Sequence, residues 1–318
     1  MRQKHGQNFL TDLNIANNIL KAAGLEKDDE VLEIGPGKGV LTKLIQPQVK
    51  RLAAVEIDPV LAQQLNHYFS FHNINNVEII NEDFLKLQSE EWRLKSGDTA
   101  KSVPSPLAGG SPRNNEDESA AGARCERPGS EEKRGEDARR AGEGSAVNST
   151  PRFPLFTSPF KIISNLPYNV GTAIIQKILP VQNWTQCVFM LQKEVIQRLA
   201  AKPGDKDYGY ISIFTQYYAD CKVLFDVSPK CFNPPPKVMS SVIKLTNRHS
   251  PAPDKVLFDF IKHAFSQRRK TILNSLSSFT KTDKTKAADL LKTCRIDPML
   301  RPDKIPLQDF LNLTEKLR

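Results

Sequence analysis

Val31-Leu32-Glu33-Ile34-Gly35-Pro36-Gly37-Lys38-Gly39 is the stretch on which the reading of the fold turns. Residues 31–34 are a short, mostly apolar run that reads as a buried strand. Three glycines at alternate positions follow it directly. A glycine turn at the carboxyl end of a strand lets the backbone approach a ligand closely. The spacing is Gly-x-Gly-x-Gly, not the Gly-x-Gly-x-x-Gly of dinucleotide folds, and the chain contains no Gly-x-x-x-x-Gly-Lys-[Ser/Thr] phosphate loop.

On either side of this stretch, strand and helix signals alternate. Residues 12–23 place Leu13, Ala16, Ile19, Leu20 and Ala23 on one helical face, with Gly24 as the stop. Residues 52–56 read as a second strand. Asp58-Pro59 reads as a cap and first turn, opening a helix through about residue 69. Residues 77–80 read as a third strand. Residues 161–164 read as a fourth strand, followed by a helix near 172–179 and a strand near 187–191. This alternation predicts an α/β fold, a doubly wound parallel sheet covered by helices. From about residue 250 the pattern becomes helical throughout (258–265, 271–276, 287–292), which predicts a small all-helical C-terminal domain. The domain boundaries expected are 1–247 and 248–318, the first interrupted at 95–152.

The interruption has its own composition. Residues 95–152 hold 8 of the 16 glycines and 5 prolines, and their only large apolar residues are Val103, Leu107 and Val147. Such a segment cannot bury enough surface to offset its ordering entropy, and it reads as a disordered insertion. The net charge of +9 is unevenly spread. Residues 1–94 carry 10 basic and 13 acidic groups, whereas residues 248–318 carry 15 and 8. The basic excess in the second half predicts a polyanionic partner for the C-terminal part. Five scattered cysteines without a Cys-x-x-Cys argue against a disulfide framework or a zinc site, and no metal is expected. No apolar run approaches the roughly 20 residues of a membrane span. The opening residues 1–5 are too polar for a signal peptide, so a cytoplasmic location is expected.

Three successive strand ends carry carboxylate-bearing loops, the first of them the stretch from Glu33 to Gly39. Gly35 and Gly37 form the first loop, Glu56 ends the second strand, and Asp83 follows the third in Asn81-Glu82-Asp83-Phe84. A carboxylate 21 residues after Gly35 can accept hydrogen bonds from both ribose hydroxyls of an adenosine, and the acidic loop can hold an adenine amino group beside an aromatic ring. After the fourth strand comes Asn165-Leu166-Pro167-Tyr168. An Asn oxygen and the carbonyl before a Pro can accept from an exocyclic amine, while Tyr168 offers a stacking face; a packed Pro-containing turn is the alternative.

These residues resemble a family. Asn-Leu-Pro-Tyr after a strand is similar to the signature of S-adenosylmethionine-dependent methyltransferases acting on adenine. Gly6-Gln7-Asn8-Phe9-Leu10 resembles the opening motif of the rRNA adenine dimethyltransferases. So do Phe189-Met190-Leu191-Gln192-Lys193-Glu194-Val195, Phe232-Asn233-Pro234-Pro235-Pro236-Lys237-Val238 and Ala264-Phe265-Ser266-Gln267-Arg268-Arg269-Lys270-Thr271. The last two fit the KsgA-like branch better than the Erm-type enzymes. The resemblance implies a Rossmann-like S-adenosylmethionine methyltransferase sheet and N6-dimethylation of two adjacent adenosines in a 3′-end hairpin of small-subunit rRNA, within an immature subunit, by a monomer. It implies S-adenosylmethionine contacts at Asn8, Leu10, Gly35, Gly37, Glu56, Asp83 and Asn165. It also implies that Asn165, Leu166, Pro167 and Tyr168 hold the target adenine and that Phe232 stacks on its other face. An Erm-type large-subunit enzyme and a non-catalytic ribosome-assembly factor are the alternatives. His5 and Met239 depart from the usual pattern, the latter standing where the family usually has Asp.

Overall fold

The computed structural model describes residues 8–87, 156, 159–181, 183–249 and 254–317. The predicted insertion at 95–152, with Gly6, Gln7 and His5, lies outside the described residues. The sheet, the helices and the cleft all belong to one unit, drawn from residues 1–95 and 151–318.

The sheet elements are β2 (Glu30–Ile34), β3 (Arg51–Val55), β4 (Val77–Ile80), β5 (Phe160–Asn165), β6 (Trp184–Gln192), β7 (Ala219–Val227) and β9 (Ser240–Asn247). They form one seven-stranded sheet in the order β4-β3-β2-β5-β6-β9-β7. The five strands from β4 to β6 are parallel, as the alternation predicts. The last two are not: β9 runs antiparallel to both β6 and β7. The five strands read from the sequence are the parallel ones, and β7 and β9 extend them into a mixed sheet. β2 is buried along its whole length, including Glu30 and Glu33, because helices cover both faces. A separate two-stranded ladder pairs β1 (Phe9–Leu10) with β8 (Phe232–Asn233).

Helices α1 (Leu13–Ala23), α2 (Val40–Ile45), α3 (Pro59–Phe71) and α4 (Gly171–Ile178) connect or precede the parallel strands. The Asp58 cap and the Gly24 stop form as the sequence implies, and Asp12 caps α1 in the same way. Asp12 accepts from the Asn14 and Ile15 amides, and Asp58 from the Val60 and Leu61 amides. Gly24 ends α1 in the left-handed conformation at φ 53°. Leu13, expected on the buried face, is 59% exposed because α1 begins there, while Ala16, Ile19, Leu20 and Ala23 are buried. Helices α5 (Lys193–Ala200) and α6 (Tyr210–Tyr218) precede β7 and were not read from the sequence.

The C-terminal part is helical, as expected: α7 (Lys255–Ser266), α8 (Ile272–Thr280), α9 (Lys284–Thr293) and α10 (Leu307–Glu315). Leu257, Ile261, Leu276, Leu291 and Phe310 belong to the same continuous core as Ile162, Phe189 and Ile243 of the sheet. Burying a large aliphatic side chain contributes about 1.5–3 kcal/mol, so these helices and the sheet stabilise each other.

Candidate active site

The loops after β2, β3, β4 and β5 line one cleft together with residues 8–10. Its place follows from connectivity. β2 and β5 are neighbours, yet the chain leaves β2 toward β3 and β5 toward β6. The two connections diverge and open a crevice at the carboxyl ends of the strands.

Backbone bonds carry the sheet's order into the loops. The Gly35 amide donates to the Val55 carbonyl at 2.8 Å, the Glu56 amide to Ile80 at 2.9 Å, and the Leu166 amide to Met190 at 3.1 Å. The Ser164 hydroxyl donates to the Ile34 carbonyl between β5 and β2. Glu56, only 2% exposed, ties the first two loops. Its Oε2 accepts from the Gly37 amide and its Oε1 from the Asp58 amide, both at 2.9 Å. Each oxygen keeps a further lone pair for a ligand. Gly37 sits at φ 57°, and a Cβ there would lie 3.0 Å from the Phe9 ring. Phe9 thus closes over the glycine turn, with the Lys38 ammonium 4.9 Å from its ring centroid.

A further acid emerges that the sequence reading quoted but assigned no role. Glu33 lines the cleft at 2% exposure, and its Oε2 has no hydrogen-bond partner among the described residues. Burial pushes its carboxyl up to about 8, and the nearby Glu56 carboxylate adds to the effect. The signal was there: a charged residue inside an otherwise apolar strand. On the far side, Asp83 is half-buried and turns its own loop, its Oδ1 accepting from the Leu85 amide at 3.0 Å. Phe84 beside it is buried and lines the cleft with Ile57.

Asn165, Leu166, Pro167 and Tyr168 line the cleft opposite the acidic loop. The Asn165 Nδ2 donates to the Asn8 carbonyl at 3.3 Å, which leaves Oδ1 as an acceptor. Of the residues expected at the site, Asn8, Leu10, Gly35, Gly37, Glu56, Asp83 and Asn165–Tyr168 all line this one cleft. Phe232 does not. It is 4% exposed, pairs with Leu10 across the β1–β8 ladder and packs among Leu10, Val227 and Val242. It thus seats Leu10 of the residue 8–10 wall. Met239 is 41% exposed at the start of β9, where its carbonyl accepts from the Lys193 amide.

Sequence reasoning missed Ser240. Its buried hydroxyl lies 2.5 Å from the Tyr168 hydroxyl. The pair fixes the ring that edges the cleft, and burial raises the Tyr168 pKa. With this partner present, Tyr168→Phe and Ser240→Ala should each lower the rate of the reaction step about fivefold, the ~1 kcal/mol of one hydrogen bond. The double variant should be no slower than either single one. Single-turnover kinetics on the four proteins checks this; additive losses would mean that the hydroxyls act separately.

The family model described as "Ribosomal RNA adenine dimethylase" matches residues 1–318. Curated relatives named "Ribosomal RNA small subunit methyltransferase A" match over nearly the whole chain. That of Alkaliphilus oremlandii is 35% identical, covering 98% of this chain and 91% of its own. That of Aster yellows witches'-broom phytoplasma is 34% identical, covering 99% and 95%. Among solved structures, a dimethyladenosine transferase from Plasmodium falciparum superposes with TM-score 0.68 at 20% identity, covering 97% of each chain. The 23S rRNA methyltransferase ErmE superposes with TM-score 0.60 at 21% identity, covering 98% of this chain and 99% of its own. These two likenesses show that the fold is shared.

Proposed function

This chain belongs to the ribosomal RNA adenine dimethylase family, and on that premise we propose that it is the small-subunit type of enzyme, transferring methyl groups from S-adenosylmethionine to N6 of two adjacent adenosines in a 3′-end hairpin of small-subunit rRNA. The observation that carries the reading is the sharing of one cleft by two different loop sets. The glycine turn, Glu56 and Asp83 suit an adenosyl group; Asn165–Tyr168 suits a second base beside it. The relatives at 34–35% identity are named for the small subunit, which favours that substrate over the Erm-type alternative.

The residues present fit this cofactor. A Cβ at Gly37 would press against the Phe9 ring that closes over the turn, and the buried Glu33 oxygen, without a hydrogen-bond partner among the described residues, is open to a ligand donor. Asn8, Leu10, Gly35, Gly37, Glu56, Asp83 and Asn165 are the residues that would hold it. When bound, S-adenosylmethionine supplies an activated methyl group on a sulfonium. The chain's own residues do the remainder. The adenine amine is a poor nucleophile, because its lone pair is delocalised into the ring. Asn165 Oδ1 and the Leu166 carbonyl accept its N–H groups, favour a pyramidal nitrogen and stabilise the positive charge that develops there. Holding that nitrogen in line supplies much of the remaining acceleration. Tyr168 receives the flipped base on its ring face, offsetting the few kcal/mol of unstacking.

The rRNA-contacting part is assigned to residues 248–318, and the working form to a monomer acting on immature subunits in the cytoplasm. Arg268, Arg269 and Lys270 lie between α7 and α8. Arg268 is engaged within the protein, donating to the Tyr208 carbonyl at 2.9 Å. Arg269 and Lys270 are exposed and suit phosphates. Reversing these two to Glu should weaken small-subunit binding and reduce its salt slope by roughly 1.5–2, while S-adenosylmethionine affinity stays unchanged. Binding titrations over a salt series read this out, and an unaltered slope would make the pair a solvated face.

The assay of the whole reading is transfer of labelled methyl groups to immature small subunits, with mapping of the modified adenosines. Labelling of large-subunit RNA alone would favour the Erm-type reaction. Binding to subunits without labelling would favour an assembly factor.

A further inference from the structure

Helix α4 runs along the cleft from one loop set to the other. Its first residue follows Tyr168 by three positions, Ile174 lines the cleft midway, and Lys177 stands in its last turn. The Lys177 ammonium donates to the Leu85 carbonyl at 2.7 Å and also to the Leu87 carbonyl. It lies 5.5 Å from the centroid of the Phe84 ring. One cation therefore gathers two carbonyls and an aromatic face from the short turn that carries Asp83. The position at the end of a helix favours a positive charge. Lys177 itself does not line the cleft.

The turn's internal bonds give it shape. Asp83 Oδ1 accepts from the Leu85 amide, and the Asp83 carbonyl accepts from the Lys86 amide at 2.8 Å. Those bonds all lie within residues 83–86 and do not locate the turn relative to the glycine loop across the cleft. β4 locates its entry at Ile80; Lys177, some 90 residues further along the chain, ties down its exit at Leu85 and Leu87. Phe84 then presents its ring to the cleft from a turn held at both ends.

The geometry points to Lys177 as a positioning residue that holds Asp83 and Phe84 in register with the glycine loop, and so sets affinity for the adenosyl half of the cofactor without touching it. This rests on reading the cleft as the S-adenosylmethionine site. Lys177→Met keeps the length and apolar stem of the side chain and removes all three donors. The expected result is roughly tenfold weaker binding of both S-adenosylmethionine and 5′-methylthioadenosine, the scale of a lost charged hydrogen bond. The loss is shared because the two probes have the adenosyl half in common. KM for S-adenosylmethionine rises by a similar factor, while kcat at saturation stays within about twofold, since the Asn165–Tyr168 loop lies at the other end of α4. A general loosening of the fold would instead lower kcat and subunit binding as well. Lys177→Gln can still reach one carbonyl and should lose about threefold; it carries the test if the Met variant does not fold. Unchanged affinity for both probes in either folded variant overturns the assignment. A wild-type protein that binds neither probe overturns the cofactor reading itself.

Discussion

Asn165→Ala is expected to slow methyl transfer by roughly 10²–10³-fold, the cost of removing one preorganised partner of a charge that appears in the transition state. Subunit binding should change little, because most RNA affinity comes from phosphate contacts elsewhere. The side chain is oriented before substrate arrives: its Nδ2 is committed to the Asn8 carbonyl, so Oδ1 faces the reaction as an acceptor. Asn165→Asp tests the same point from the other side. It keeps an acceptor but loses the donor to Asn8, so a lowered rate with preserved subunit binding is again expected. Single-turnover methylation at saturating cofactor separates the chemical step from binding. A wild-type rate in Asn165→Ala would reduce the Asn165–Tyr168 loop to a structural turn.

Glu56→Ala is expected to have the second large effect, on cofactor affinity. Two backbone amides, Gly37 and Asp58, lose their acceptor at once. The glycine turn and the start of α3 lose the carboxylate that joins them, and two ribose hydroxyls lose theirs. Hydrogen bonds to a charged group contribute about 1.5–3 kcal/mol each, so affinity should fall at least 10–100-fold. Glu56→Gln does not rescue it fully, since its NH₂ would meet one of the two amides donor to donor. Calorimetric titration with S-adenosylmethionine, paired with thermal melting, distinguishes lost binding from lost folding. Undiminished affinity in a folded Glu56→Ala protein would remove Glu56 from the cofactor site.

Much of the fold and the cleft was legible in the sequence, for physical reasons that can be named. β2 to β4 lie within one residue of the runs 31–34, 52–56 and 77–80. Buried parallel strands are nearly continuous apolar runs bounded by turn residues, which is a strong local signal. The Asp58 cap was readable because a cap acts within three residues. The direction of β9 was not readable. Its apolar run resembles that of a parallel strand, and only its pairing with β6 and β7 sets its sense. β7 is the edge strand, with Asp220 and Lys222 at alternate positions facing solvent, and its pattern is weak. At the site, most cleft-lining residues were found because they follow strand ends, whereas Asn8 and Leu10 were expected only from the likeness of the opening motif. The pairing of Phe232 with Leu10 was not readable, because the two lie far apart in the chain. Ser240 and Lys177 were missed for the same reason: their partners are 72 residues and about 90 residues distant.

The β1–β8 ladder also bears on biosynthesis. Leu10 pairs with Phe232, and the Thr11 hydroxyl donates to the Cys231 carbonyl 220 residues away. A chain is made from its amino end, so residues 8–11 leave the ribosome long before the strand that will receive them. At about 5–20 residues per second, that wait is roughly 10–45 s. In the meantime β2, β3 and β4 can pair with one another, because their separations are short and the closure entropy is small. The wall made by Asn8, Phe9 and Leu10 is therefore among the last parts of the cleft to be built. A nascent chain arrested before residue 231 would carry the glycine turn, Glu56, Asp83 and Asn165, yet lack the strand that seats the wall over them. The seat of that wall is thus made some 220 residues after the wall itself.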